Sequence, residues 1–137
     1  MSFEIQNRDR SLKAIRRRFQ YNTGGIGTGI KVGELPVGAL ILSSRVQIIT
    51  PFNASGGDLL AAGQVSGNIE FMVNGDLSGE ANTVVDQTGR AVQQFDLLGA
   101  TNPIPVFIQY TQSGDAATAG DALFVLEYLE PETLTAL

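Results

Sequence analysis

The side chains of this sequence that could do chemistry are mostly carboxylates. Asp58, Asp76, Glu80, Asp86, Asp96, Asp115 and Asp121 would permit general acid–base work of the paired-carboxylate kind. There is no histidine and no cysteine. That removes the commonest general base, the usual zinc ligands and every Ser-His or Cys-His nucleophile pair. Nearly all the acids fall among Gly, Asn, Ser and Pro, where Asp serves turn formation through backbone hydrogen bonds. With no Trp and only three Tyr, the chain also lacks the aromatic platforms of a glycosidase. The expectation is a protein that is not an enzyme, with no catalytic residues, no cofactor, no metal and no small-molecule substrate.

Two glycine-rich stretches need separate weighing. Thr23–Gly29 (TGGIGTG) lacks both a following Gly-Lys-Ser/Thr and the G-x-G-x-x-G spacing of a phosphate cradle. No helix pattern follows whose N-terminus could receive an anion. It reads as a turn between strands. Asn74–Glu80 (NGDLSGE) imitates the first half of a calcium loop, but Val85 stands where the closing bidentate Glu belongs. Asn-Gly is itself a strong turn signal, so this stretch reads as a turn-rich loop.

The remaining chemistry is electrostatic. Net charge is −5, unevenly spread. Residues 1–18 hold Arg8, Arg10, Lys13, Arg16, Arg17 and Arg18 against Glu4 and Asp9, a balance of +4. The remaining residues hold three basic groups against twelve acidic ones, a balance of −9. A basic segment on an acidic body suits contact with an acidic protein surface or a neighbouring copy. Direct nucleic-acid binding is disfavoured, because the body would repel phosphate and no stacking surface accompanies the arginines. The six basic residues are therefore the candidate partner-contact set. No apolar run approaches the ~18 residues of a membrane span, and no signal-peptide core follows the N-terminal charges. The expectation is a soluble, unsecreted protein that makes no membrane contact.

These groups must be positioned by strands. The clearest is Gly38–Phe52, bounded by Leu35-Pro36 and Pro51. In it Leu40, Leu42, Ser44, Val46 and Ile48 alternate with Ile41, Ser43, Arg45, Gln47 and Ile49, and the first set is read as core-facing. Further strands are expected at Phe19–Asn22, Ile30–Val32, Asn68–Val73, Thr83–Gln87, Arg90–Leu98, Ile104–Thr111 and Ala122–Leu129. Leu59–Val65 is left as strand or bend. Leu12, Ile15 and Phe19 sit at near-helical spacing, so a short helix and an extended arm both stay open before residue 19. About eight short antiparallel strands with Gly-rich turns predict an all-β, jelly-roll-like sandwich. The expected organisation is a basic arm at 1–18, a β-sandwich domain at 19–130 and a C-terminal tail at 131–137.

Two segments carry a family resemblance. TGIKVGELPVGALILSSRVQIITPFNAS, with its Leu-Pro-x-Gly turn, long strand and Thr-x-Phe-Asn corner, resembles small structural proteins of tailed bacteriophages. ATAGDALFVLEYLE resembles their closing strand. The two cover about residues 25–65 and 104–130. The resemblance implies a jelly-roll-like capsid decoration (cement) or other virion protein, made in the bacterial cytoplasm and located on the capsid surface. It implies dimers or trimers that bridge major capsid subunits. A receptor- or glycan-binding module of a head or tail fibre, or a tail or connector component, stays open beside it. Residues 1–18 lie outside the matched segments, so the resemblance gives them no role.

Overall fold

Strand β8 (Asp121–Leu129) shows how this sequence makes its sheets. Ala122, Phe124 and Leu126 alternate into the core and are fully buried, while Leu123, Val125 and Glu127 turn outward. A strand with large apolar groups on one face is stable only when that face is covered, and here a second sheet covers it. The computed structural model describes residues 11–65, 68–94 and 102–130. The other elements are β1 (Leu12–Gln20), β2 (Ile30–Leu35), β3 (Leu40–Thr50), β4 (Gly57–Gly63), β5 (Met72–Asp76), β6 (Val84–Asp86), α1 (Thr88–Gln94) and β7 (Ile104–Ser113).

The strands form two four-stranded antiparallel sheets, β1-β8-β3-β6 and β2-β7-β4-β5. First pairs with last throughout: β1 with β8, β2 with β7, β3 with β6, and β4 with β5. Successive pairs of this nested hairpin alternate between the sheets, and β8–β3 and β7–β4 contacts close each sheet. That is the wiring of an eight-stranded jelly roll, as expected from the spacing of strands and turns. Phe19, Phe52, Phe71, Phe124, Leu60 and Ile108 fill the space between the layers. Each such side chain contributes about 1.5–3 kcal/mol by leaving water.

Several local expectations are corrected. The alternation in β3 breaks at a register shift between Ile41 and Ser43. Ser44, Val46 and Ile48 face the core as expected, but before the shift it is Ile41 that is buried. Leu40 and Leu42 are 47% and 39% exposed. A bulge adds one residue to one strand and so reverses its facing, which alternation alone does not reveal. Residues 12–18 are neither helix nor arm but most of β1, so the expected boundary after Arg18 falls inside a strand. Ile15 and Phe19, four apart, share a face at either period. Leu12, three before Ile15, is 59% exposed, as only the strand period requires.

The strand expected at Asn68–Val73 instead begins at Met72 and runs through Asn74-Gly75-Asp76, the first three of the seven residues read as a loop. Asn74 takes φ 51° there, a left-handed conformation that Asn tolerates better than most residues. The strand expected from Arg90 is replaced by α1. The Thr88 N–H donates to Asp86 Oδ1 (2.9 Å), and the Gln87 carbonyl accepts from Arg90 and Ala91, which starts a helical turn. Ala91 is then buried against the core. The Gln87 side chain meanwhile serves as a strand rung. Its Nε2 donates to the Val73 carbonyl (2.8 Å), and its Oε1 accepts from the Val73 N–H (2.9 Å). The part of the expectation beyond Gln94, like Asp96, lies outside the described residues.

Thr23–Gly29 is a turn, as read. It is also a packed one: Ile26 is 3% exposed, and its carbonyl accepts from the Tyr110 N–H (2.9 Å).

Candidate assembly surface

Strand periodicity splits the basic run. Register places Arg16 beside Val125 and Arg18 beside Leu123, so both arginines stand on the outer face of the β1-β8-β3-β6 sheet. Lys13 and Arg17 share the face of Ile15 and Phe19 but stay exposed, because β1 is an edge strand. All four side chains are thus gathered along one edge, on both sides of one strand. Arg8 and Arg10 lie outside the described residues.

Read across the sheet, the outer face is a set of rows. Leu12, Leu129 and Leu40 are in register at one end. Arg16, Val125, Arg45 and Asp86 form a second row, and Arg18, Leu123, Gln47 and Val84 a third. A shallow depression in the middle is lined by Arg16, Arg45, Gln47, Val84, Leu123 and Val125. Leu12, Leu40 and Val84 (52% exposed) give the face apolar ground between its charges. Apolar area interleaved with arginine is the composition favoured at protein–protein contacts.

Two ion pairs brace this face. Arg18 grips Asp121 with two hydrogen bonds, Nε to Oδ1 at 3.0 Å and Nη2 to Oδ2 at 2.6 Å. This pinned geometry is the stronger kind of arginine–carboxylate pair. The Arg18 side chain is 63% exposed and that of Asp121 only 11%, so the cation forms the lid. The guanidinium holds the Asp121 carboxyl below its usual range, against an opposing effect of partial burial. Across β8, the Ser43 hydroxyl donates to Glu127 Oε1 (2.6 Å) and Arg45 Nη2 reaches the same oxygen (2.7 Å). Glu127 is also held below its usual value, first by the Ser43 hydroxyl, then by Arg45, with Arg16 adding from a distance.

Both carboxyls are depressed in the fold, so both stabilise it above their unfolded pKa values. The ordinary values are 3.8 for Asp121 and 4.5 for Glu127. Their contribution is therefore complete above about pH 4.5 and lost as pH falls through the lowered folded values. Thermal melts between pH 7 and pH 3 should show Tm falling below about pH 4.5. The pair Asp121→Asn and Glu127→Gln should show a shallower fall than the parent. An identical fall in both would contradict the assignment.

The other acids named from sequence do not come together. Asp58 is buried on β4, where its Oδ1 accepts from the Tyr110 hydroxyl and the Ala54 N–H. Burial, then this carboxylate, push the Tyr110 phenol well above its ordinary value. Asp76 and Asp86 cap their own turns, Asp76 accepting from the backbone and hydroxyl of Ser78. Glu80 and Asp115 stand on exposed or half-exposed loops. Among the described residues no three of His, Cys, Asp and Glu gather as a metal site, and no helix is long and apolar enough to cross a membrane.

Arg45, Glu127 and Ser43 did not stand out from sequence as partners. The available signal was weak: Asp121 and Glu127 lie an even number of residues apart, as do Arg16 and Arg18, which places each pair on one strand face. Their pairing across strands needed the register.

No protein-family model and no curated protein matches the sequence. Solved structures do. A chain of the cyanophage Pam1 capsid asymmetric unit superposes with a TM-score of 0.63 at 17% identity, covering 96% of this chain and 93% of that one. A chain of the acidic stable capsid structure of Helicobacter pylori bacteriophage KHP30 superposes with a TM-score of 0.55 at 16% identity, covering 90% of this chain and 94% of that one. The chain therefore shares its fold, over nearly its whole length, with chains of two phage capsid structures, in line with the resemblance drawn from sequence.

Proposed function

We propose that this chain is a structural component of a bacteriophage virion, and more specifically a capsid decoration or cement protein. In this reading it acts by binding, without chemistry. It sits on the outside of the head, contacts major capsid subunits and further copies of itself as a dimer or trimer, and holds subunit joints together. It is made in the host cytoplasm and ends on the capsid surface.

The observation that carries the reading is the near-complete overlap with a chain of the Pam1 capsid asymmetric unit, 96% of one and 93% of the other. The surface described above supports it too, since the outer face offers an apolar row and two further rows in which arginines stand beside Val125, Leu123 and Val84. On a symmetric shell, modest contacts repeated at every site add by avidity.

The test is the amount of this protein in purified particles, measured by quantitative mass spectrometry against the major capsid protein. A copy number comparable with that of the capsid protein supports the reading. A copy number fitting a single ring would assign the chain to the tail or connector instead. Absence from particles would sink the virion role altogether.

A further inference from the structure

A jelly roll has four edge strands, and three of those described here are blocked in their backbones. Strand β6 is three residues long. Strand β5 holds Asn74 at φ 51° beside Gly75. Strand β2 has a register shift between Lys31 and Gly33. Short length, bulges and irregular backbone are the usual means by which sheets prevent pairing with other chains.

Strand β1 has none of them. It runs nine residues, Leu12–Gln20, without proline, and pairs with β8 residue for residue in unbroken register. Among the described residues β8 is its only strand partner, so the backbone donors and acceptors on its other side are paired by no described strand.

What distinguishes β1 is charge. Lys13, Arg16, Arg17 and Arg18 stand within six residues. Pairing of two β1 strands would bring these like charges together, which opposes joining of two copies at this edge. The bonded side shows what the strand accepts. Its neighbour β8 carries Asp121 opposite Gln20 and Glu127 opposite Ala14, and Arg18 closes on Asp121 at 2.6 Å. Arg16 adds to the depression of the Glu127 pKa, while Lys13 and Arg17 have no carboxylate within salt-bridge distance among the described residues.

We propose that the open side of β1 is a docking edge for an extended, acidic segment of a different protein chain, which adds to the β1-β8-β3-β6 sheet as a fifth strand. Main-chain hydrogen bonds supply the affinity, and carboxylates meeting Lys13, Arg16 and Arg17 supply the selection. This deepens the virion reading by naming the chemistry of one partner. It rests on that reading only for where the partner is found, and the peptide assay below can fail while the particle measurement succeeds, or the reverse.

The experiment is amide hydrogen exchange by NMR on the full chain. The probes are an end-blocked peptide of alternating glutamate and valine, the same peptide with lysine for glutamate, and oligothymidylate. The acidic peptide should slow exchange about tenfold or more at those β1 amides not bonded to β8, while the basic peptide leaves them unchanged. In the doubly reversed variant Lys13→Glu, Arg17→Glu the preference should move toward the basic peptide. The wild-type comparison decides the matter even if that variant folds poorly. The proposal is overturned by an acidic peptide that leaves the β1 amides unprotected, by equal protection from both peptides, or by oligothymidylate binding more tightly than the acidic peptide without protecting the backbone.

Discussion

Phe52→Ala is expected to lower folding stability by about 3–5 kcal/mol, the usual cost of emptying a buried aromatic site. Phe52 is 2% exposed and lies just beyond the end of β3. Its ring centroid is 5.8 Å from that of Phe19 in β1 and 5.0 Å from that of Tyr110 in β7, so it joins the two sheets at one end of the sandwich. Such aromatic pairs add to plain area burial. The backbone of Gly120 also lies against this ring: a Cβ built there would fall 2.5 Å from the ring atoms. Filled space on every side leaves little that can collapse into the cavity, which places the cost toward the upper part of the range. Urea denaturation with unchanged m-value and a lowered midpoint would show it. A loss under about 1 kcal/mol would mean the site relaxes far more easily than its packing implies.

Removing residues 1–18 is expected to cost on the order of 5 kcal/mol, enough to unfold a marginally stable domain. Viewed from composition alone, these residues are a detachable basic arm. In the fold the truncation removes most of β1, including buried Ile15, and strands Phe19 without its strand. It also strips β8 of seven of its nine registered partners in β1 and leaves Asp121 without Arg18. An exposed, apolar β8 edge is then a template for aggregation. The expected outcome is an insoluble product, or one without a cooperative thermal transition. A soluble product melting within a few degrees of the parent would show that β1 is an accessory to the sandwich. Loss of particle binding by such a truncation would therefore report unfolding, so charge reversals at Lys13 and Arg17 are the better probe of the basic edge.

The class of fold was legible because it depends on short-range pattern. Ile104–Thr111 and Ala122–Leu129 alternate cleanly, and β7 and β8 appear there with Val106, Ile108, Phe124 and Leu126 buried. Turn residues at Pro36–Gly38 mark the entry to β3, with Gly38 at φ 84°. The errors arose where alternation was interrupted or where a distant partner intervened. The bulge after Ile41 reversed the start of β3. After β6 the Gln87 side chain reaches Val73 while its carbonyl accepts from Arg90 and Ala91, and α1 begins where a strand was expected. At Ile15 and Phe19 the spacing of four was common to two periods, and only pairing with β8 decided between them.

The candidate surface divides in the same way. Sequence by itself determined that the chain has no histidine or cysteine, that its basic groups cluster before residue 19, and that its alternating segments number about eight. Those are properties of composition and of neighbours along the chain. Only the tertiary structure decided that the cluster is a strand, that its arginines divide between two faces, that Asp121 becomes the partner of Arg18 from more than a hundred residues away, and that Glu127 is held by Ser43 and Arg45 from across the sheet. Local pattern says which way a side chain can point, whereas register between strands distant in sequence says what it meets. The energy of that register is spread over many burials and hydrogen bonds that no short stretch of sequence displays.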